Sequence, residues 1–279
     1  MATVIYDELE QGSSEWLQAR AGLVTASTIG QLITKANKPT IEYDCPDCGA
    51  VDGQVCQSKP NKDGETRDLK TTHSQRVEAA RANPVTELVV ANGDAAESLR
   101  KKLIAERLTG FVEPSLMSRA MERGVLDEPY ARAEYAKQTG VKVEEVGFIV
   151  SDDLGFKLGY SPDGLVGDDG LLEIKSRTQQ RQLEVFLTDT VPAENYAQLQ
   201  TGLLVTGRAW IDYCSYCGGM PLYVKRVYPD PEWFSVIGRA LGAFEFDAQE
   251  ITSRYLAATE GKPNTERIDH YELELEVKF

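Results

Sequence analysis

Ser161-Pro162-Asp163-Gly164, followed by Leu172-Glu173-Ile174-Lys175, is the stretch that decides how this 279-residue chain folds. It spells Pro-Asp, a short spacer, then Glu-x-Lys, each half within a run of strand-forming residues. Side chains alternate along a strand, so Glu173 and Lys175 project from one face. Asp163 lies on the preceding strand or turn, and a hairpin with its tip near 167–170 folds it back opposite them. The apolar frame of Leu171, Leu172 and Ile174 predicts a buried strand whose charged residues leave its other face. Partly buried charges need a reason. Two carboxylates and one ammonium converging at a strand edge suit a hard divalent ion held through oxygen, with a water oriented against a phosphodiester. The same letters also fit a surface hairpin carrying a Glu–Lys pair, since Asp-Gly turns are common.

Outward from this hairpin, strands are expected over 141–151, 156–160, 164–166 and 171–175. Helices are expected over 178–188 and 192–206, the second with Pro192 at its first turn. Strands follow over 209–216 and 222–228, then a long helix over 231–258. Upstream, Ser13 or Ser14 caps a short helix ending near Gly22, and 25–33 reads as a second helix. Leu99, Leu103 and Leu108 place one apolar stripe on a helix spanning 85–109. The span 115–138 continues as two helices broken near Gly124. Helices, a strand meander carrying the charged trio, more helices and more strands make an α/β sheet flanked by helices.

The composition is that of a globular protein, with 42% hydrophobic and 27% charged residues. No apolar run approaches the roughly 18 residues of a membrane span, and the opening MATVIYDELE lacks the basic and apolar regions of an export signal. A cytoplasmic protein is expected. The net charge of −14 opposes nucleic-acid binding unless basic residues gather locally. Arg76, Arg81, Arg100, Lys101, Lys102, Arg107, Arg119 and Arg123 crowd the middle third, while much of the acid sits elsewhere.

Three further segments bear on the same chemistry. Trp16-x-x-x-Arg20-x-Gly22-x-x-Thr25-Ala26-Ser27 sets a guanidinium and a hydroxyl beside a helix start, where free amides favour phosphate. Arg20 in that position also suits a structural pairing with an acidic side chain. Arg123-Gly124-x-x-x-Glu128-x-x-Ala131 carries a carboxylate that alone reads as a solvated helical glutamate. Asn195-Tyr196-Ala197-Gln198-Leu199-Gln200 sets amides on the helix after the Glu-x-Lys strand.

In this order the motifs resemble the phage lambda exonuclease family of YqaJ-like viral recombinases, within the PD-(D/E)xK nuclease superfamily. The resemblance runs over 11–228 and leaves out 36–84. It implies a restriction-endonuclease-like three-layer α/β core with a mixed central sheet. It further implies a magnesium- or manganese-dependent nuclease that degrades one strand of duplex DNA from its 5′ end. By this resemblance Asp163, Glu173 and the main-chain carbonyl of Ile174 are metal ligands, and Glu128 supports the metal or its water. Lys175 orients the attacking water, Gln198 helps to place it, and Arg20 with Ser27 holds a 5′ phosphate. The resemblance also implies a homotrimeric ring around DNA and a partner annealing protein for the single strand. An endonuclease on the same core and a non-catalytic DNA-binding adaptor are the rival readings.

The span 36–84 departs from the family. It is polar, rich in Gly, Lys and Asp, and poor in large apolar residues, so it reads as an insertion between 1–35 and 85–279. Cys45, Cys48, Cys56 and His73 are spaced Cys-x2-Cys-x7-Cys-x16-His, and the first pair has the spacing with which one turn presents two thiolates to zinc. A segment without a core gains most from such a staple, and the expectation is a small zinc-knuckle-like module. A flexible loop with incidental thiols is the alternative. Lys59, Lys62, Arg67, Lys70, Arg76 and Arg81 would let it touch DNA or a partner. Cys214 and Cys217, three apart on a strand, face opposite sides and read as free thiols. An odd total of five cysteines argues against a disulfide framework. His270 reads as a tail residue.

Overall fold

The computed structural model describes residues 3–113 and 118–268. The chain begins with β1 (Thr3–Tyr6) and α1 (Ser14–Arg20), capped by the Ser13 hydroxyl, which accepts from the Trp16 N–H. Then come β2 (Val24–Thr25), α2 (Ala26–Ile29), β3 (Ile33–Asn37), α3 (Ser74–Ala82), β4 (Thr86–Val90), α4 (Asp94–Thr109) and α5 (Arg119–Thr139). A meander of β5 (Val143–Glu144), β6 (Phe148–Ser151), β7 (Leu158–Tyr160), β8 (Gly164–Val166) and β9 (Gly170–Ser176) follows. The chain then runs through α6 (Gln179–Thr188), α7 (Ala193–Thr206), β10 (Trp210–Tyr216), β11 (Tyr223–Val227) and α8 (Pro231–Thr259). No helix among the described residues is long and apolar enough to cross a membrane.

A five-stranded mixed sheet has the order β11-β10-β9-β8-β5. β9 and β10 run parallel, because α6 and α7 carry the chain back between them; the other pairings are antiparallel. The expected hairpin forms, with Gly164 opposite Leu172 and Val166 opposite Gly170. Strand alternation then sorts the side chains. Leu172 and Ile174 of β9 and Cys214 of β10 pack under α5 with Ala131 and Tyr135. Leu171, Ile211 and Tyr213 pack on the other face with Val185 of α6 and with Leu199 and Leu203 of α7. Helix, sheet and helix make three layers. Leu171 thus shares the face of Glu173 and Lys175, and the frame residues do not all oppose the charges. Both faces of β9 are covered, which is why Leu171, Leu172 and Ile174 are all buried although they point to opposite sides.

A second sheet, β1-β6-β7-β2, lies against α7. From β7 the chain passes through Ser161-Pro162-Asp163 straight into β8 of the other sheet. The Pro-Asp motif is the crossing between the two sheets.

Local periodicity misread three segments. The span 25–33 is β2, the single turn α2 and a 3-10 turn, and Ile33 already begins β3. The expected helix over 85–109 starts only at Asp94. Thr86–Val90 is β4, paired antiparallel with β3 from Ile33–Val90 to Asn37–Thr86. Its β-branched residues suit a strand once a partner strand is present. α5 runs unbroken through Gly124, since one helical glycine costs only about 1 kcal/mol. Residues 115–117 of the expected span lie outside the described residues.

The β3–β4 ribbon leads the chain out at Asn37 and back at Thr86. Between these points Cys45, Ala50 and Cys56 form a small buried cluster. Arg76 of α3 is fully buried beside it and donates to the main-chain oxygens of Ile41, Tyr43, Val51 and Gln54 at 2.5–3.0 Å. It is an internal clasp, unavailable to DNA. Arg100 bonds the Ala91 oxygen at 2.8 Å and pairs with Asp247 at 3.2 Å. Arg107 forms a two-armed pair with Glu245 at 2.7 Å. Much of the basic character of the middle third is therefore spent inside the fold.

Arg76→Met should leave the Tyr43 and Gln54 oxygens without a donor, each at about 1–3 kcal/mol, while those of Ile41 and Val51 keep a backbone N–H. Limited proteolysis of the variant should cut within 38–85 while the remainder resists. A wild-type digestion pattern would show that the clasp is dispensable.

Candidate active site

The β8–β9 register sets Asp163 across from Glu173, and Asp163 Oδ2 accepts the Ile174 N–H at 2.5 Å. Glu173 is 1% exposed, and three donors satisfy it. Lys175 Nζ at 2.6 Å and Gln198 Nε2, from α7, both reach Oε1, and the Tyr160 hydroxyl donates to Oε2 at 3.2 Å. Glu128 approaches from α5, paired with Arg132 one turn further on. A cavity of about 470 Å³ is lined by Asp163, Glu173, Ile174, Lys175, Glu128 and Gln198, and at its other end by Arg20 and Ser27. All eight residues singled out in the sequence for the nuclease site meet in this one cavity.

Three carboxylates gather there around one ammonium, which is paired with Glu173. Burial and the neighbouring Glu173 charge push the Asp163 carboxyl well above the usual carboxylate range. Burial also raises Glu128, against the pull of Arg132. Burial disfavours the charge on Lys175, yet Glu173 and Asp163 hold its pKa above the ordinary lysine value. The ammonium stays charged, and the carboxylates remain in excess. This hard-oxygen donor set fits a divalent cation of the magnesium or manganese type.

The other end of the cavity is built around Arg20. Its guanidinium lies 4.0 Å from the centre of the Trp16 ring. It donates to the hydroxyls of Ser161 and Ser27 at 3.1 Å each, and to that of Thr25 at 3.4 Å. Burial lowers its pKa to about 10, so it is charged at neutral pH. Among the described residues it forms no ion pair, and hydroxyls leave its charge open to an anion. Gly22, two residues on, has a left-handed φ of 67°. A Cβ there would meet the Arg107 side chain at 2.3 Å, which explains the glycine of the motif. Trp16 and Gln11 fasten the sheet crossing, through the Ser161 hydroxyl and the Pro162 oxygen, at 3.0 Å each.

Sequence reasoning missed Tyr160 and Arg132. Tyr160 is the residue before the Pro-Asp motif, and Arg132 is four residues beyond Glu128, so both were adjacent to motifs already marked. Only the tertiary structure shows which carboxylates they touch.

In the insertion, the ligand atoms of Cys45, Cys48, Cys56 and His73 all lie within 4.8 Å of one another. The Gln57 N–H points at Cys48 Sγ and the His73 N–H at Cys56 Sγ, at 3.4 and 3.5 Å. The Gln57 and Ala50 amides pull the Cys48 thiol down to about 6. Cys214 and Cys217 are both buried, and burial pushes the Cys214 thiol up to about 12. His270 lies outside the described residues.

A Pro-Asp crossing and a Glu-x-Lys strand meeting at one end of a mixed sheet, beside a guanidinium lined with hydroxyls, define a nuclease. The chain belongs to the YqaJ-like viral recombinase domain family, whose model matches residues 15–209. Among solved structures it is similar to an alkaline exonuclease from Laribacter hongkongensis, with 28% identity and a TM-score of 0.63, over 90% of this chain and 99% of that one. The same exonuclease in complex with dAMP aligns at 26% identity and a TM-score of 0.63, over 89% and 98%. No curated protein matches the chain in sequence. The protein is a deoxyribonuclease.

The charge excess has a consequence for stability. With its native pKa raised above the unfolded value of about 3.9, Asp163 makes the metal-free protein lose stability as pH rises from about 4 through the native pKa. Asp163→Asn does not titrate. In chelator at neutral pH it should melt above wild type, with the difference shrinking toward pH 4. Equal melting temperatures at neutral pH would contradict the assigned charge strain.

Proposed function

We propose that the protein is a magnesium-dependent 5′-to-3′ exonuclease on double-stranded DNA ends, producing single strands for phage-type recombination. The observation that carries this reading is the single cavity joining Asp163, Glu173 and Lys175 to the Arg20 pocket. Asp163, Glu173 and the Ile174 carbonyl would hold the magnesium, or manganese in its place, with support from Glu128. When bound, the ion polarises a phosphoryl oxygen and lowers the pKa of its water. Lys175 orients the attacking water and offsets charge growing on the phosphoryl oxygens. Gln198, hydrogen-bonded to Glu173, keeps that carboxylate in place and helps to place the nucleophile. Attack at phosphorus breaks its bond to O3′, which takes up a proton as it leaves. The shortened strand then carries a new 5′ phosphate.

Arg20, with Ser27 and Ser161, would hold the 5′ phosphate through charge-assisted bonds and keep the strand in register between steps. That the similar exonuclease forms a complex with dAMP supports a mononucleotide as a ligand of this enzyme as well. In this reading 1–35 and 85–279 form the exonuclease domain and 36–84 an inserted module, whose Cys45, Cys48, Cys56 and His73 hold a structural zinc. The enzyme would act in the host cytoplasm as a homotrimer around the duplex and pass its single strand to an annealing protein.

Linear duplex with a 5′ phosphate should release nucleotides only with magnesium, faster than the same duplex with a 5′ hydroxyl, while closed circles stay intact. Asp163→Ala and Glu173→Ala should abolish release. Lys175→Ala should lose several orders of magnitude yet still bind DNA, and Arg20→Ala should erase most of the end preference. Cut circles would favour the endonuclease reading, equal rates on both ends a structural Arg20, and near-normal turnover without the trio would overturn the site.

For the module, native mass spectrometry of protein purified without added metal should show about one zinc per chain, lowered by Cys48→Ser and unchanged by Cys217→Ser. A metal-free native wild type would refute the zinc.

A further inference from the structure

We infer that Arg132 is a positioning residue that fixes the acidic arms of the site relative to one another and thereby sets its affinity for a divalent cation; this rests on the nuclease reading above. Its guanidinium touches three separate parts of the chain. Nε donates to the main-chain oxygen of Asp163 at 2.9 Å, at the sheet crossing. Nη2 pairs with Glu128 one turn back on α5. Nη1 pairs with Glu145, between β5 and β6, at 2.9 Å. The side chain is only 14% exposed.

α5 itself is fastened to β9 by Ala131 and Tyr135 and by the Ser176–Asp127 bond at 2.6 Å, but among the described residues no other side chain bonds both acidic arms. Glu128 makes no other hydrogen bond or ion pair among the described residues, so its direction is set by Arg132. Asp163 belongs to the β7–β8 crossing and Glu128 to the helix layer above it, so no shared backbone ladder links them. A planar guanidinium spreads its donors over three nitrogens and serves three acceptors in different directions, whereas the three donors of lysine sit on one nitrogen. Attraction does not explain the residue, because a positive charge beside Glu128 opposes the arrival of a cation. Geometry does. Outer-shell partners that orient metal ligands typically change metal affinity or activity by about 10–100-fold when replaced.

Arg132→Lys keeps the charge and removes the fork, so it isolates position from electrostatics. Calorimetric titration of zinc-loaded, otherwise metal-free protein with Mn2+ should show binding weakened about 10-fold in this variant. Asp163→Asn marks which binding event belongs to the site. Glu128→Gln and Arg132→Lys should be less than additive, because one acts through the other. Unchanged Mn2+ affinity in Arg132→Lys, or strict additivity, would overturn the inference. If the lysine variant lacks a cooperative melt, Arg132→Gln replaces it. Loss of charge alone strengthens Mn2+ binding, so weaker binding supports positioning and stronger binding refutes it. Wild-type protein without any Mn2+ binding sensitive to Asp163→Asn would instead remove the metal site itself, and this inference with it.

Discussion

Burying the Glu173 carboxylate is the constraint on which the rest of the structure depends. A carboxylate 1% exposed survives only when paired and hydrogen-bonded. Its three donors come from its own strand, from the strand before the crossing and from the helix beyond the sheet. Lys175 must follow by two residues, Tyr160 must end β7, and α7 must return across that face of β9. The order of the fold, strand to helix pair to parallel strand, supplies that return. Moving any one of these elements removes one of the three donors that satisfy the buried charge.

The crossing between the sheets serves the same end from the other side. Ser161, Pro162 and Asp163 belong to neither sheet, and their polar atoms bond side chains of other elements and the Ile174 N–H. Trp16 and Gln11 bond to this short segment, and Ser161 in turn supports Arg20. A phosphate-sized pocket and a carboxylate cluster thereby share one cavity, joined by three residues of backbone. The chemistry is a product of that junction, where two sheets stop pairing and leave room for a substrate.

The insertion solves a different problem. Its apolar cluster is too small to organise some fifty residues of loop by burial. Arg76 takes the place of a core by collecting four carbonyls, and the thiolates and imidazole gather around the same point. The ribbon at the base of the module is formed by two segments far apart in sequence, and each needs the other to be a strand at all.

Some of this was legible in the residues alone. The period-two spacing of Glu173 and Lys175, the turn residues ahead of them and the knuckle spacing of Cys45 and Cys48 are local facts, and local facts survive folding. They determined the hairpin, the charged trio and the thiol cluster, and the family motifs marked the residues that line the cavity. Tertiary structure decided what depends on contacts between distant segments. β4 is a strand because β3 lies beside it. Arg76, Arg100 and Arg107 are structural because acceptors from elsewhere surround them. Tyr160 and Arg132 belong to the site because the fold brings carboxylates to them. A sequence states which groups are charged; burial and long-range pairing decide which of those charges are spent on holding the fold and which are left to meet a substrate.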